Sequence, residues 1–166
     1  MKFPRPHFEF LRHHFRTDPA SAHLCSSGAM GGAPTPPETS ATRMSEALVL
    51  ALGLATDRAS LLRHTTSVDG KAPLLGDYGY RTNLCPHGLA RGASDLAYFL
   101  QEHWGQPASF ESLTEPPQAI VDTTGLIAFL TIDGVKAQGH IDLWDQKQIL
   151  GRAYWPARKV MFWKLD

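Results

Sequence analysis

Net charge is absent from this chain. Its 16 Lys plus Arg are balanced by 16 Asp plus Glu. A surface that neutralises phosphates needs an excess of clustered cations, so nothing here marks a nucleic-acid or anionic-membrane partner. Long apolar runs are absent too. The longest, Ala47 to Ala55, has the length of a buried helix and falls well short of the ~20 residues that span a bilayer, so membrane insertion is not expected. The opening MKFPRPHFEFLRHHFR lacks an apolar centre of roughly 7–15 residues and carries Arg and His throughout, so it does not read as a signal peptide. The sequence therefore predicts a protein that is cytoplasmic, or one secreted by a machine that needs no such signal. Cysteine is scarce. Cys25 and Cys85 permit one disulfide, but spacing alone does not assign it.

What is present is the composition of a globular domain. Hydrophobic residues make up 43% and charged residues 19%, and 166 residues suffice for one domain with a real core. Phe8, Leu11 and Phe15 share one face of a helix predicted over Phe8 to Arg16, which has to stop before Pro19. Residues 25–37, CSSGAMGGAPTPP, read as an irregular loop. A second helix is predicted from Thr39 or Ser40, either a suitable N-cap, to about Leu54. Ala41, Met44, Ala47, Leu48, Ala51 and Leu52 give it a buried face, and Val49 and Leu50 widen that face, as in a central helix packed on several sides.

Residues 56–77 read as loop with a short turn, and Tyr78 to Leu84 as a short strand. Ala93 to His103 reads as a helix with Gly105 as its stop. After the break at Pro116-Pro117 the character changes. Gly125 to Ile132 is a buried strand, Asp133-Gly134 a turn, and Gly139 to Trp144 a half-buried strand. Ala153 to Trp155 reads as a short strand and Val160 to Leu165 as the last one. Helices first and an antiparallel sheet after them predict an α+β fold, a single domain over residues 1–166.

In the Gly139 to Trp144 strand, His140, Asp142 and Trp144 share one face and Ile141 and Leu143 the other. With the apolar pair turned to the core, the opposite face carries an imidazole and a carboxylate about 7 Å apart along the strand. That suits a general base with an orienting partner. A surface histidine beside a salt-bridging aspartate has the same pattern. Ser40, at the head of a buried helix, stands in the helix's positive end. A cysteine there would be a better nucleophile, whereas a serine there is ordinarily a cap. Arg43, one turn on, suits a substrate carboxylate or an acidic neighbour. Gly31 and Gly32, in the loop Gly28 to Pro37, would let backbone N–H groups approach a substrate carbonyl or oxyanion, or would simply connect two elements. Cys25 is a second candidate nucleophile but opens no helix. Cys85 and His87 supply two ligands, short of a zinc site, and His13 and His14 read as exposed helix residues.

The run Ser40-Ala41-Thr42-Arg43-Met44-Ser45-Glu46-Ala47-Leu48 resembles the Cys-Ala-x-Arg-Met-Ser-x-Ala-Leu motif of type VI secretion amidase effectors, family 4. Gly139-His140-Ile141-Asp142-Leu143-Trp144-Asp145 is similar to that family's Gly-His-hydrophobic-x-Leu-Trp-Asn/Asp motif. Between them, Asp95 to Leu100 with Gly105-Gln106-Pro107 is similar to its central helix and exit. Gly125 to Phe129 and Phe162-Trp163-Lys164-Leu165 follow in the same order. The resemblance implies a papain-like fold in which a cysteine at the start of a central helix faces a histidine on the adjacent sheet. It implies cleavage of the γ-D-glutamyl to meso-diaminopimelate bond of peptidoglycan stem peptides, with no cofactor and no metal. It further implies delivery by the type VI secretion machinery, action in the target cell's periplasm, and a cognate immunity protein that plugs the groove.

Two departures matter. Ser40 stands at the nucleophile's position, and a serine hydroxyl does not ionise near neutral pH as a thiol does. The chain is therefore expected to be inactive or nearly so, either through a change introduced into it or as a natural non-catalytic relative that binds peptidoglycan peptide or an immunity protein. The family's third catalytic residue, an Asp some eleven residues past the histidine, is matched by Gly151 here. Asp142 or Gln148 is left to orient His140.

Overall fold

The computed structural model describes residues 1–17, 36–63, 74–85, 87–136 and 138–166. Among them the helices come first: α1 (Phe8–His14), α2 (Pro36–Ala51), α3 (Arg58–Arg63), a 3-10 turn at Leu74–Tyr78, and α4 (Ala93–Trp104). The strands follow: β1 (Ala108–Phe110), β2 (Thr124–Leu130), β3 (Gly139–Asp145), β4 (Gln148–Ile149) and β5 (Lys159–Lys164), with a second 3-10 turn at Gln118–Ile120. They form one antiparallel sheet in the order β1-β5-β2-β3-β4, so the fold is α+β.

β2 lies at the centre, and its sequence TGLIAFL is apolar almost throughout because both of its faces are covered. Leu126, Ala128 and Leu130 join Ile141, Leu143, Met161 and Trp163 in the core shared with the helices. Ile127 and Phe129 join Trp144, Val160 and Phe162 in a second core, covered by Ile120, Tyr154, Trp155 and Ala157. This second cover corrects the sequence reading of β3. Its alternation suggested one solvated face, yet Gly139 to Trp144 is buried throughout. Loops from 111–123 and 150–158 supply the apolar side chains that close the outer face, and no strand alternation encodes that.

α2 departs from expectation at its start. It begins at Pro36, so neither Thr39 nor Ser40 is its cap. Proline at the first helical position fits, because the N–H groups of a first turn have no intrahelical acceptor. The helix stops at Ala51. Gly53 takes φ 66° and donates its N–H to Leu50 O at 3.0 Å, while Leu54 N–H reaches back to Val49 O at 3.0 Å. That is the paired closure of a glycine-terminated helix. α1 and α4 match their predicted spans closely, and Gly105 ends α4 at φ 88°.

Shorter elements differ from the sequence reading. Asp57 nucleates α3 inside the expected loop, its carboxylate accepting from Ser60 N–H at 2.7 Å. Tyr78 to Leu84 is not a strand, and Leu84 makes only an isolated bridge to Ala90. Ala153 to Trp155 is not a strand either; Gln148–Ile149 pairs with β3 instead. β1 has no counterpart in the sequence reading because three residues are too few to show a period.

Candidate active site

β4 pairs with Trp144 and Asp145, and Leu150 N–H donates to Leu143 O at 3.0 Å, which leaves the outer edge of β3 to other partners from Gly139 to Asp142. α2 closes that edge. Ser40 lies in its second turn, fully buried, and Ser40 Oγ accepts the Ile141 N–H at 3.1 Å. The serine that matches the motif's nucleophile therefore touches the backbone of the residue after His140.

His140 and Asp142 project from β3 on the second-core side and are 2% and 1% exposed. The surface-histidine alternative is thereby removed. Rather than standing apart along the strand, the two side chains turn toward each other, with His140 Nε2 at 2.6 Å from Asp142 Oδ2. The carboxylate also accepts Leu143 N–H at 2.8 Å and Gly151 N–H at 3.1 Å on Oδ1, and Arg152 N–H at 3.1 Å on Oδ2. All its partners are donors, so it serves them as an acceptor. His140 Nε2 then carries the hydrogen, and Nδ1 holds the lone pair when the ring is neutral. Nδ1 is buried and has no hydrogen-bond partner among the described residues. A ring fixed through one nitrogen, with the other left open, is the arrangement of an oriented general base.

Gly151 is part of this geometry. A Cβ at that position would collide with Asp142 Oδ2, so the carboxylate occupies the space a side chain would need. Gln148 takes no part: it is exposed and pairs through its backbone with Asp145. The His140 ring is flanked by Phe129 at 6.4 Å and by Tyr154 at 5.1 Å between centroids. Arg152 lies over the outer side of Tyr154 at 5.3 Å. Burial pushes the Tyr154 phenol up, against the pull of Arg152. Sequence reading missed Tyr154 and Arg152. The Arg-Ala-Tyr spacing that stacks one on the other was the available signal, obscured by reading the segment as a strand.

Arg43 is buried, and its Nη1 donates to Arg16 O and Thr17 O, both at 3.2 Å. Burial draws its guanidinium below the usual value, opposed by Asp142 and Tyr154. Gly31, Gly32 and Cys25 lie outside the described residues. Cys85 is disulfide-bonded, and the sequence holds one other cysteine, Cys25. Among the described residues no cluster of three His, Cys, Asp or Glu could hold a metal ion.

A family model described as type VI secretion system (T6SS), amidase effector protein 4, matches residues 37–163, a span that includes Ser40, His140 and Asp142. The chain belongs to the type VI amidase effector 4 family. Solved structures agree on the fold. Type VI effector Tae4 from Enterobacter cloacae is 18% identical with a TM-score of 0.63, each chain covered in full. The Tae4–Tai4 effector–immunity complex from the same organism is 17% identical with a TM-score of 0.61, covering 98% of this chain and 100% of that one. The corresponding complex from Salmonella Typhimurium is 15% identical with a TM-score of 0.59, over the same shares. No curated protein matches the chain.

In this amidase effector 4 chain Thr42 and Ser45 of the motif tie α2 to Ala90. Thr42 Oγ1 donates to Ala90 O at 2.9 Å, and Ser45 Oγ accepts Ala90 N–H at 3.0 Å, so α2 grips the 84–90 turn through both backbone groups of one residue. Met44 fills the core. At the other side of the site, Gln138 accepts Asp95 N–H at 3.2 Å and donates to Asp95 Oδ2 at 3.0 Å. This takes the place of the cap that Gly92 lacks on α4, and it ties that helix to the start of β3.

Proposed function

We propose that this chain is built as a peptidoglycan amidase that cuts the γ-D-glutamyl to meso-diaminopimelate bond of stem peptides, with position 40 as the nucleophile's seat. We propose further that Ser40 leaves it inactive or nearly so. The observation that carries the reading is the His140 ring, held at Nε2 by Asp142 and open at Nδ1, beside the Ile141 N–H that meets Ser40 Oγ. With a thiol at position 40, His140 Nδ1 would take the thiol proton, and the thiolate would accept the same Ile141 N–H, which favours the charged form. The thiolate attacks the amide carbonyl, and His140 then passes its proton to the departing amine as the C–N bond breaks. Water deprotonated at Nδ1 hydrolyses the thioester, which returns the acid and the free thiol. A serine offers a neutral hydroxyl instead. Here that hydroxyl oxygen is already engaged by Ile141 and makes no hydrogen bond to His140 Nδ1.

That engagement favours one second reading, a natural non-catalytic relative that keeps the groove to bind peptidoglycan peptide or an immunity protein. Under either reading the partners are stem peptides, the type VI machinery that exports the chain, and a cognate immunity protein. The last is supported by the effector–immunity complexes among the similar structures. Action belongs in the target cell's periplasm. The test is expression of both versions directed to the periplasm of a bacterium without an immunity protein. Ser40→Cys is expected to lyse the cells and the Ser40 chain to spare them. Unchanged growth with abundant, folded Ser40→Cys protein would exclude the amidase reading and leave the binding one.

A further inference from the structure

Exposure rises in steps away from the candidate base. His140 is buried, Tyr154 against it is half-buried, and Arg152 over Tyr154 is exposed. The backbone of Arg152 is fixed by its own N–H on Asp142 Oδ2 and by the preceding Gly151 N–H on Oδ1, so the residue has little freedom to leave the site. Its guanidinium carbon lies over the Tyr154 ring, 5.3 Å from the centroid, and the group makes no ion pair among the described residues. A cation–π contact of that kind holds the guanidinium near the site and leaves N–H donors for an anion. The other cation near the site, Arg43, is spent on backbone carbonyls below the surface. Among the described residues Arg152 is thus an exposed guanidinium without an ion pair, in contact with the ring that meets His140.

Resting on the function proposed above, we infer that Arg152, held against Tyr154, reads the substrate's free α-carboxylate. A γ-linked glutamyl donor differs from an ordinary peptide in that its α-carboxylate remains ionised a few bonds from the scissile carbonyl. A bidentate guanidinium at the rim recognises that group, and it discriminates against an α-linked peptide or a stem whose α-carboxylate has been converted to the amide. Arg152 is a specificity residue and takes no part in bond cleavage. Tyr154 positions it and packs against the His140 ring, 5.1 Å between centroids.

The inactive chain suits the test, because bound peptide is not consumed. Calorimetric titration would compare L-Ala-γ-D-Glu-meso-diaminopimelate with the same peptide bearing an α-carboxamide. The carboxylate form is expected to bind about tenfold tighter, the scale of one charge-assisted contact at a wet rim. Arg152→Gln should abolish that preference by weakening the carboxylate peptide alone. Arg152→Lys should keep part of it, and Tyr154→Ala should reduce it. Equal weakening of both peptides by Arg152→Gln, or no effect on either, would overturn the inference. Cleavage of the same two peptides by Ser40→Cys separates the levels. Equal cleavage of both leaves the amidase reading standing and removes the role of Arg152, whereas cleavage of neither removes both.

Discussion

At the residue scale the site depends on where one carboxylate is held. Asp142 reaches His140 from two positions along the same strand, and strand geometry alone would keep such side chains apart. Three backbone N–H groups, from Leu143, Gly151 and Arg152, draw the carboxylate into place. Gly151 also keeps the space open. In the Ser40→Cys background, Gly151→Ala is expected to lower kcat/KM by roughly 100-fold, since a shift of about 1 Å in a positioning group can cost that much. The loss of stability should stay within about 1–3 kcal/mol, as for other overpacked sites. Kinetics on stem peptide beside urea melts would check it, and unchanged kcat/KM would mean that Asp142 does not set the base. The sequence named His140 with Asp142 or Gln148 to orient it, and did not choose between the two. Two of the backbone donors that hold the carboxylate, Gly151 and Arg152, lie in a loop, and a donor N–H has no residue-type signature.

At the element scale α2 has two tasks, closing the edge of β3 at Ser40 and packing the core with Met44, Ala47 and Leu48. Its apolar period was legible in the sequence, whereas its start was not, because a run of capping residues at Thr39 and Ser40 competed with the proline pair that begins the helix. α2 also buries Glu46, with Oε1 3.3 Å from Arg58 Nε. Burial pushes the Glu46 carboxyl above its ordinary 4.5, with Arg58 and then Arg16 pulling it back. A carboxyl raised in the folded state binds its proton more tightly there than in the unfolded chain. The cost of ionising it is therefore absent below about 4.5 and grows as pH rises through the folded value. The stability of Glu46→Gln relative to the parent is expected to rise from about pH 4.5 toward neutrality. Paired urea melts across that window would measure the gap, and a gap that is flat or shrinks with pH would show that Arg58 outweighs burial.

At the scale of the whole molecule, the sheet sits between two cores and the site lies where α2, β3 and the 150–154 segment meet. The N-terminal segment locks the helical side. Phe3 N–H donates to His103 Nδ1 at 2.9 Å, Trp104 Nε1 donates to Phe3 O and Pro4 O, and Phe8 N–H reaches Asp166 O at 2.8 Å. The order of helices and strands was readable because long apolar segments keep their period. The second core was not, because it is assembled from loop residues such as Ile120 and Trp155. We propose above that this framework is an amidase whose nucleophile is missing at position 40. The most direct measurement is digestion of purified muropeptides by the chain and by Ser40→Cys, read by mass spectrometry. Cleavage between D-Glu and diaminopimelate by Ser40→Cys alone is the predicted result. Cleavage by neither, with both proteins folded, would contradict the assignment of position 40, and equal cleavage by the Ser40 chain would contradict its inactivity.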